Sequence, residues 1–337
     1  IVSAVVDNAA SDGTLDYDIA IFEQDEAHGV HLAKRIKPRG VVLLNVMRDQ
    51  MDRFGEIDTT VRLLQKLASS AKEVVILNAN DERVSTIAIN ESARKVWFGH
   101  GKDLTKEFLS DDQLYHEESS TFYAAADPDV ELVSYDADSL TISLKGTPHR
   151  YNYGLTGGHN ALNLTAALAL VGSIVHDLNH EALAKAILTL EPAFGRGETI
   201  PIANGKELTI QLVKNPGGFT QGLRMLDVKD FATVAIAIND DYPDGRDVSW
   251  LWDVSFAGIT SPVICGGVRA ADMANRLKYD DVQTKSAYED LEAFIAAIKT
   301  DAEQTGGDAI IFCTYTAMLN IRALLLDTSS GLEGADA

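Results

Sequence analysis

Apolar and polar positions divide the chain into short, densely apolar runs and longer stretches of helical spacing. YDIAIF at 17–22, GVVLL at 40–44 and EVVIL at 73–77 are runs of five or six residues bounded by polar clusters, the pattern of buried strands. Between the second and third runs, residues 56–69 carry apolar side chains at helical spacing. Strand, helix and strand at this separation predict a parallel sheet built from βαβ units. From 84 to 150 the pattern changes to shorter alternating runs, VSTIAI at 84–89, KVWF at 95–98, LVSY at 132–135 and LTISL at 140–144. Gly, Pro and Asp separate them, which predicts a small antiparallel appendage, with an acidic insert near 110–120. GGHNALN at 157–163 then opens a long Ala/Leu helix to about 176, and a second helix over 181–190 leads into EPAFGRGE at 191–198.

Pro and two Gly make that last stretch the best interdomain linker. Beyond it, LTIQLV at 208–213, TVAIAI at 233–238, SPVIC at 261–265 and AIIF at 309–312 read as strands, with helices after 219, around 270–278, over 285–300 and over 317–326. Strand and helix alternate throughout, so this half is a Rossmann-like, doubly wound α/β domain. It has no GxGxxG, and the fold therefore does not imply NAD. The expected division is a first domain over 1–191, a second over 192–327, and a small acidic tail at 328–337 that reads as disordered.

The length of 337 residues suits two domains. A net charge of −21 argues against nucleic acid and against electrostatic docking on an anionic membrane. Cys265 and Cys313 lie far apart and form no CxxC, the pattern of a reduced protein without a Cys-based zinc site. No apolar run approaches the ~20 residues of a membrane span. The chain opens on Ile1 in helix-like sequence, which reads as a missing N-terminus.

Candidate chemistry gathers in four places. The run 233–238 feeds NDDYPDGRDVSWLWD at 239–253, which turns at PDG and holds Asp240, Asp241, Asp244, Asp247 and Arg246. This loop lies at the carboxyl end of a strand, where open α/β sheets bind ligands. A structural loop needs one or two Asp rather than this density, although a solvated acidic turn is the alternative. FEQDE at 22–26 sets carboxylates, Glu23 among them, at a strand end, which suits Mg²⁺. Asn160 and Asn163, three apart, face one side of a helix's first turn and could hold a nucleotide base or ribose; an Asn N-cap explains one of them but not both. Arg196, between two glycines, either reaches a phosphate or is a plain linker arginine.

Five stretches together resemble the MurT family of Mur-ligase-like subunits: FEQDE at 22–26, NVMRDQMDRFGEID at 45–58, GGHNALN at 157–163, LVKNPGGF at 212–219 and DGRDVSW at 244–250. GGVRAADMANRLKY and TYTAML support the resemblance, which spans nearly the whole chain. It implies a Mur ligase central domain with the P-loop part missing, followed by a Rossmann-like C-terminal domain. It implies ATP- and Mg²⁺-dependent activation of the D-glutamate α-carboxylate of lipid II as an acyl phosphate. Ammonia from a GatD-type glutaminase partner then yields D-isoglutamine, at the cytoplasmic face of the membrane. On this resemblance Glu23 falls on the Mg²⁺-associated Glu, Asn160 and Asn163 on the nucleotide-binding asparagines, and Arg196 on the linker Arg near the γ-phosphate. Asp247 falls on the Asp that completes a Cys-His-Asp triad with the glutaminase. These residues, Asp247 aside, are expected to converge on one cleft between the domains.

The chain departs from the family in two ways. A GTNGKT-type phosphate cradle is expected upstream of Ile1, so the chain reads as an N-terminally truncated fragment. The four-cysteine zinc ribbon that many members carry has no counterpart over 100–145, so no zinc is expected. Two rivals stay open: an amino-acid-adding Mur or folate-type ligase, and a non-catalytic scaffold that completes a glutaminase.

Overall fold

The computed structural model describes residues 5, 7–47, 57–110, 113, 121–155, 157–175, 177–191 and 195–326. Much of NVMRDQMDRFGEID, most of the acidic insert, part of the linker and the acidic tail therefore lie outside the described residues.

Among the described residues the strands form two six-stranded sheets. The first runs in chain order: β1 (Gly40–Leu43), β2 (Val74–Asn78), β3 (Arg94–His100), β4 (Val130–Tyr135), β5 (Ser139–Leu144) and β6 (Thr147–Asn152). β1 to β4 are parallel; β5 and β6 are antiparallel. β2 is apolar along four consecutive positions because both of its faces are covered. Val74 and Ile76 pack toward the helix Gly158–Ile174, and Val75 and Leu77 toward Leu64 and Ala68 of the helix Ile57–Ala68.

Two expectations change here. The appendage expected over 84–150 belongs largely to the main sheet, since β3 and β4 extend the parallel run and only β5 and β6 turn antiparallel. Part of its first expected strand is a helical turn, Glu82–Ser85. The Asp81 carboxylate accepts from the N–H groups of Arg83 and Val84, and this capping outweighs the apolar alternation. Residues 17–22 form no strand. Ile19 is 52% exposed and Ile21 81%, and alternation without a ladder partner makes no sheet.

The second sheet has the order β11-β10-β9-β12-β8-β7. β8 (Lys206–Leu212), β9 (Thr233–Ala237), β10 (Val263–Gly266), β11 (Thr284–Tyr288) and β12 (Ala309–Cys313) are parallel, and β7 (Arg196–Ile202) is an antiparallel edge. Val234 and Ile236 of β9 pack with Phe219, Met273 and Leu277 on one face. Ala235 and Ala237 pack with Phe294, Ile298 and Ile321 on the other. Helices therefore cover both faces, and the fold is doubly wound as expected. The expected helix over 285–300 is corrected: 284–288 is the edge strand β11, and the helix Leu291–Thr305 starts behind Asp290, whose carboxylate accepts from Ala293 N–H at 2.7 Å.

The two sheet units meet where the helix Pro216–Leu223 and the residue after it reach the turn at 106–107. Gln221 Nε2 donates to the Glu107 carbonyl at 2.5 Å and Arg224 Nη2 to the Lys106 carbonyl at 2.6 Å. Among the described residues no helix is long and apolar enough to cross a membrane.

Candidate functional site

The first turn of the helix Gly158–Ile174 is shaped by two glycines. Gly157 has φ +90°, and a Cβ there would lie 2.8 Å from the His159 ring. A Cβ on Gly158 would lie 2.5 Å from Tyr135 Oη, which donates to the Glu107 carboxylate. With the main chain so placed, Asn160 is buried and Asn163, nearly one turn on, is exposed. The two asparagines, three apart, lie toward the same side of the helix end, yet Asn160 is buried there and Asn163 is exposed.

His159 lies beside them. Its Nε2 is buried and has no hydrogen-bond partner among the described residues. Burial, and secondarily the Arg196 charge, push its pKa down to about 4, so the ring is neutral at physiological pH. Arg196 opens β7 between Gly195 at φ +69° and Gly197 at φ +79°. A Cβ on Gly195 would overlap Met318 Sδ at 1.8 Å. Gly195 is therefore imposed by the passage of the chain against the helix Tyr315–Leu326, not only by a linker's need to flex. Arg196 is half-buried and is the Cα partner of Gln211 across the β7–β8 ladder.

The charge of Arg196 thus reaches His159, in the first turn of the helix that carries Asn160 and Asn163. The structure does not join Glu23 to them. Glu23 is exposed in the segment before the helix Glu26–Ile36, and no hydrogen bond or ion pair connects its carboxylate to Asn160, Asn163 or Arg196. Among the described residues no group of three or more His, Cys, Asp and Glu gathers as it would around a metal ion. Glu23 alone does not build a Mg²⁺ site there.

The acidic loop resolves into separate roles. Asp240 accepts from Arg269 Nη2 at 2.6 Å and Nε at 3.0 Å. Asp244, only 4% exposed, accepts from Thr316 N at 2.8 Å and from Thr316 Oγ1. Asp241 accepts from the same hydroxyl at 3.2 Å. Asn239 Oδ1 accepts from Val268 N at 3.1 Å, and Asn239 N donates to Thr314 Oγ1 at 2.9 Å. Asp241 and Asp244 therefore serve the start of the helix Tyr315–Leu326, and Asp240 holds Arg269 before the helix Ala270–Tyr279. The density that suggests ligand chemistry is here largely structural. Asp247 differs: it is exposed at the rim and accepts from Ser249 N at 2.8 Å, and the Ser249 side chain first and its backbone N–H second hold the carboxyl below the usual range. Beside the loop, Trp252 is 52% exposed and stacks edge-on against Tyr279 at 5.0 Å.

Residue-by-residue reading of the sequence does not single out His159 or Gln211. Each carried a signal: a titratable ring between a glycine pair and two asparagines, and one amide inside the apolar run LTIQLV.

Residues 6–171 match the family described as Mur ligase middle domain, and residues 212–318 match MurT ligase C-terminal. The chain is 30% identical to the lipid II isoglutaminyl synthase (glutamine-hydrolyzing) subunit MurT of Streptococcus pneumoniae (strain ATCC BAA-255 / R6), over 91% of this chain and 74% of that protein. It is 27% identical to the subunit of the same name from Staphylococcus aureus (strain COL), over 79% of this chain and 65% of that protein. The fold is similar to that of the MurF ligase from Thermotoga maritima in complex with ADP. The TM-score is 0.63 at 15% identity, over 88% of this chain and 63% of that one.

Proposed function

Because the chain belongs to the MurT family, we propose that it is the ligase subunit of a lipid II isoglutaminyl synthase. In this reading it amidates the D-glutamate α-carboxylate of lipid II, using ammonia that a GatD-type partner releases from glutamine. The observation that carries the reading is 30% identity to a protein named as that subunit over 91% of this chain, with residues 212–318, which include Asp247, matching MurT ligase C-terminal. The alignment covers 74% of that relative's length, so the activity of the whole protein is part of the proposal.

ATP supplies the phosphoryl group that makes the carboxylate an acyl phosphate, and ammonia displaces phosphate from it. The described residues fit a nucleotide: a buried ring nitrogen without a partner, an exposed amide one turn along and a neighbouring cation at one helix end. Asn160 and Asn163 hold the base or ribose. Arg196 offsets the charge of the γ-phosphate, and positioning and electrostatics are most of what such a transfer asks of the protein. Glu23 lacks companions among the described residues, so no step is assigned to Mg²⁺. Asp247, exposed and anionic at neutral pH, orients the partner's catalytic His and fixes its tautomer.

The test uses the full-length protein co-purified with its glutaminase and follows lipid II amidation by mass spectrometry. Asp247→Asn should lose glutamine-dependent turnover, with a ceiling of ~10⁴-fold set by the Asp of a serine-protease triad. Amidation from supplied ammonia should survive. Loss of both reactions would mean that the loop serves nucleotide or substrate. Intact glutamine-dependent turnover, with loss in Asp253→Asn instead, would move the role to the other carboxylate.

A further inference from the structure

The helix Gly158–Ile174 starts with little of its own to hold it. Its N-cap is Gly157, which has no side chain to accept from the first N–H groups, and no acidic residue stands in its first turn. Packing holds the start instead. A Cβ on Gly158 would lie 2.5 Å from Tyr135 Oη and 3.1 Å from Phe108 Cζ, so the helix end rests directly on these two rings. Tyr135 Oη in turn donates to the Glu107 carboxylate. Glu107 and Phe108 lie in a turn anchored by Leu104, which is buried in the first unit's core. Their N–H groups donate to the Leu104 carbonyl at 2.9 and 3.3 Å.

The second unit docks on this same turn. Gln221 Nε2 reaches the Glu107 carbonyl at 2.5 Å and Arg224 Nη2 the Lys106 carbonyl at 2.6 Å. Gln221 stands on the helix Pro216–Leu223, which buried Phe219 seats in the second unit's core. Glu107 therefore faces both ways. Its carbonyl accepts from the second unit, and its side chain accepts from the tyrosine under the helix start. Gln221, Glu107, Tyr135 and Gly158 form one contiguous run of bonds and contacts across the boundary between the units, the physical form that coupling between distant elements takes.

We propose that the turn at 104–108 is a conformational relay: docking of the second unit fixes Glu107, Glu107 fixes Tyr135, and Tyr135 supports the start of the helix Gly158–Ile174. The helix end that carries His159 and Asn160 is then ordered while the units are docked and frays when they part. Coupling of this kind is reciprocal, so a firm helix start favours docking to the same extent. The relay does not depend on which ligand the helix end takes.

Hydrogen exchange of the full-length protein without ligand, followed by mass spectrometry, reads local opening at both ends of the relay. Gln221→Ala combined with Arg224→Ala removes the bonds from the second unit and touches nothing in the helix. It is expected to speed exchange at the amides of 160–163 roughly tenfold, the worth of about one hydrogen bond. Tyr135→Phe keeps the ring under Gly158 but loses the bond to Glu107. It should speed exchange at 160–163 and also, across the boundary, at 219–223. Glu107→Ala should behave like Tyr135→Phe, and Glu107→Gln, which keeps an acceptor for the tyrosine, should restore most of the protection. Tyr135→Phe added to the Gln221/Arg224 double variant should do little more at 160–163. Strands β2 and β9 serve as controls and should exchange as in wild type. Unchanged exchange at 160–163 in the double variant, fully additive effects, or equal loss of protection in β2 and β9 would overturn the relay.

Discussion

Asp244→Ala should destabilise the second unit by about 2–4 kcal/mol, while Asp244→Asn should cost less than about 1 kcal/mol. The Asp244 carboxylate is 4% exposed and accepts from both the N–H and the hydroxyl of Thr316, in the first turn of the helix Tyr315–Leu326. Each hydrogen bond to a charged group is worth about 1.5–3 kcal/mol, and a negative charge at a helix start adds about 0.3–1 kcal/mol. Opposing this, burial first, and the nearby Asp241 charge, raise the Asp244 pKa. The sign follows from linkage: a carboxyl whose pKa is higher folded than unfolded contributes stability at low pH, lost as pH rises through the folded value. Ionised Asp244 is thus the less favoured form, and some of the hydrogen-bond gain is offset at neutral pH. An amide preserves an acceptor for Thr316 N and can donate to Thr316 Oγ1, which still has Asp241 at 3.2 Å to receive its proton. Alanine preserves neither bond. Urea unfolding at pH 7.5, followed by the fluorescence of Trp250 and Trp252 in the adjoining turn Ser249–Asp253, reads both variants. An alanine variant within 0.5 kcal/mol of wild type, or an asparagine variant as unstable as the alanine, would refute the account of this loop as structural.

Gly195→Ala meets both a left-handed backbone and the Met318 sulfur at 1.8 Å, so its thermal midpoint should fall by the equivalent of about 2–5 kcal/mol. Gly205→Ala has the same φ of +69° with nothing within 4 Å and should cost only about 1–2 kcal/mol of strain; equal losses would remove Met318 from the explanation. His159 titrates at about 4 when folded and near its ordinary value when unfolded, so the unfolded chain binds the extra proton between those values. Stability should therefore fall as pH drops through that window, by up to about 1.4 kcal/mol per unit from this residue. Urea midpoints of wild type and His159→Gln between pH 7.5 and 5 should diverge by that slope. His100, whose pKa burial also lowers, leaves its own slope in both, and parallel profiles would show that His159 is not buried neutral.

The parts of the fold legible in the sequence are those where burial on both faces makes a strand apolar throughout. EVVIL, TVAIAI and AIIF became inner parallel strands, and GVVLL became β1, the parallel strand at the end of the first sheet's order. The misreadings have local causes. TKSAY reads as the start of a helix because it is short, half-polar and next to a good helix, yet as the edge strand β11 it needs an apolar lining on neither side. YDIAIF has the alternation of a strand and no ladder partner. VSTIAI lost its first residues to a cap on Asp81, a choice made by one carboxylate and two N–H groups rather than by the pattern.

The candidate site was less legible, because its meaning depends on pairings between distant residues. Four aspartates in a loop look like ligand chemistry until Arg269 and Thr316 arrive from other elements and engage three of them. Arg196 shows the converse. In the sequence it is one arginine between two glycines, equally a linker residue. The β7–β8 ladder sets Gln211 opposite it, and the packing of the two units sets a neutral His159 near it. In so acidic a chain, an arginine used only to bind the units together would be expected to take a carboxylate, as Arg322 takes Glu198 and Arg269 takes Asp240. Arg196 makes no such ion pair with a carboxylate among the described residues. That contrast within one fold is what the proposed phosphate role of Arg196 requires, whereas Arg322 and Arg269 are consumed in holding the chain together.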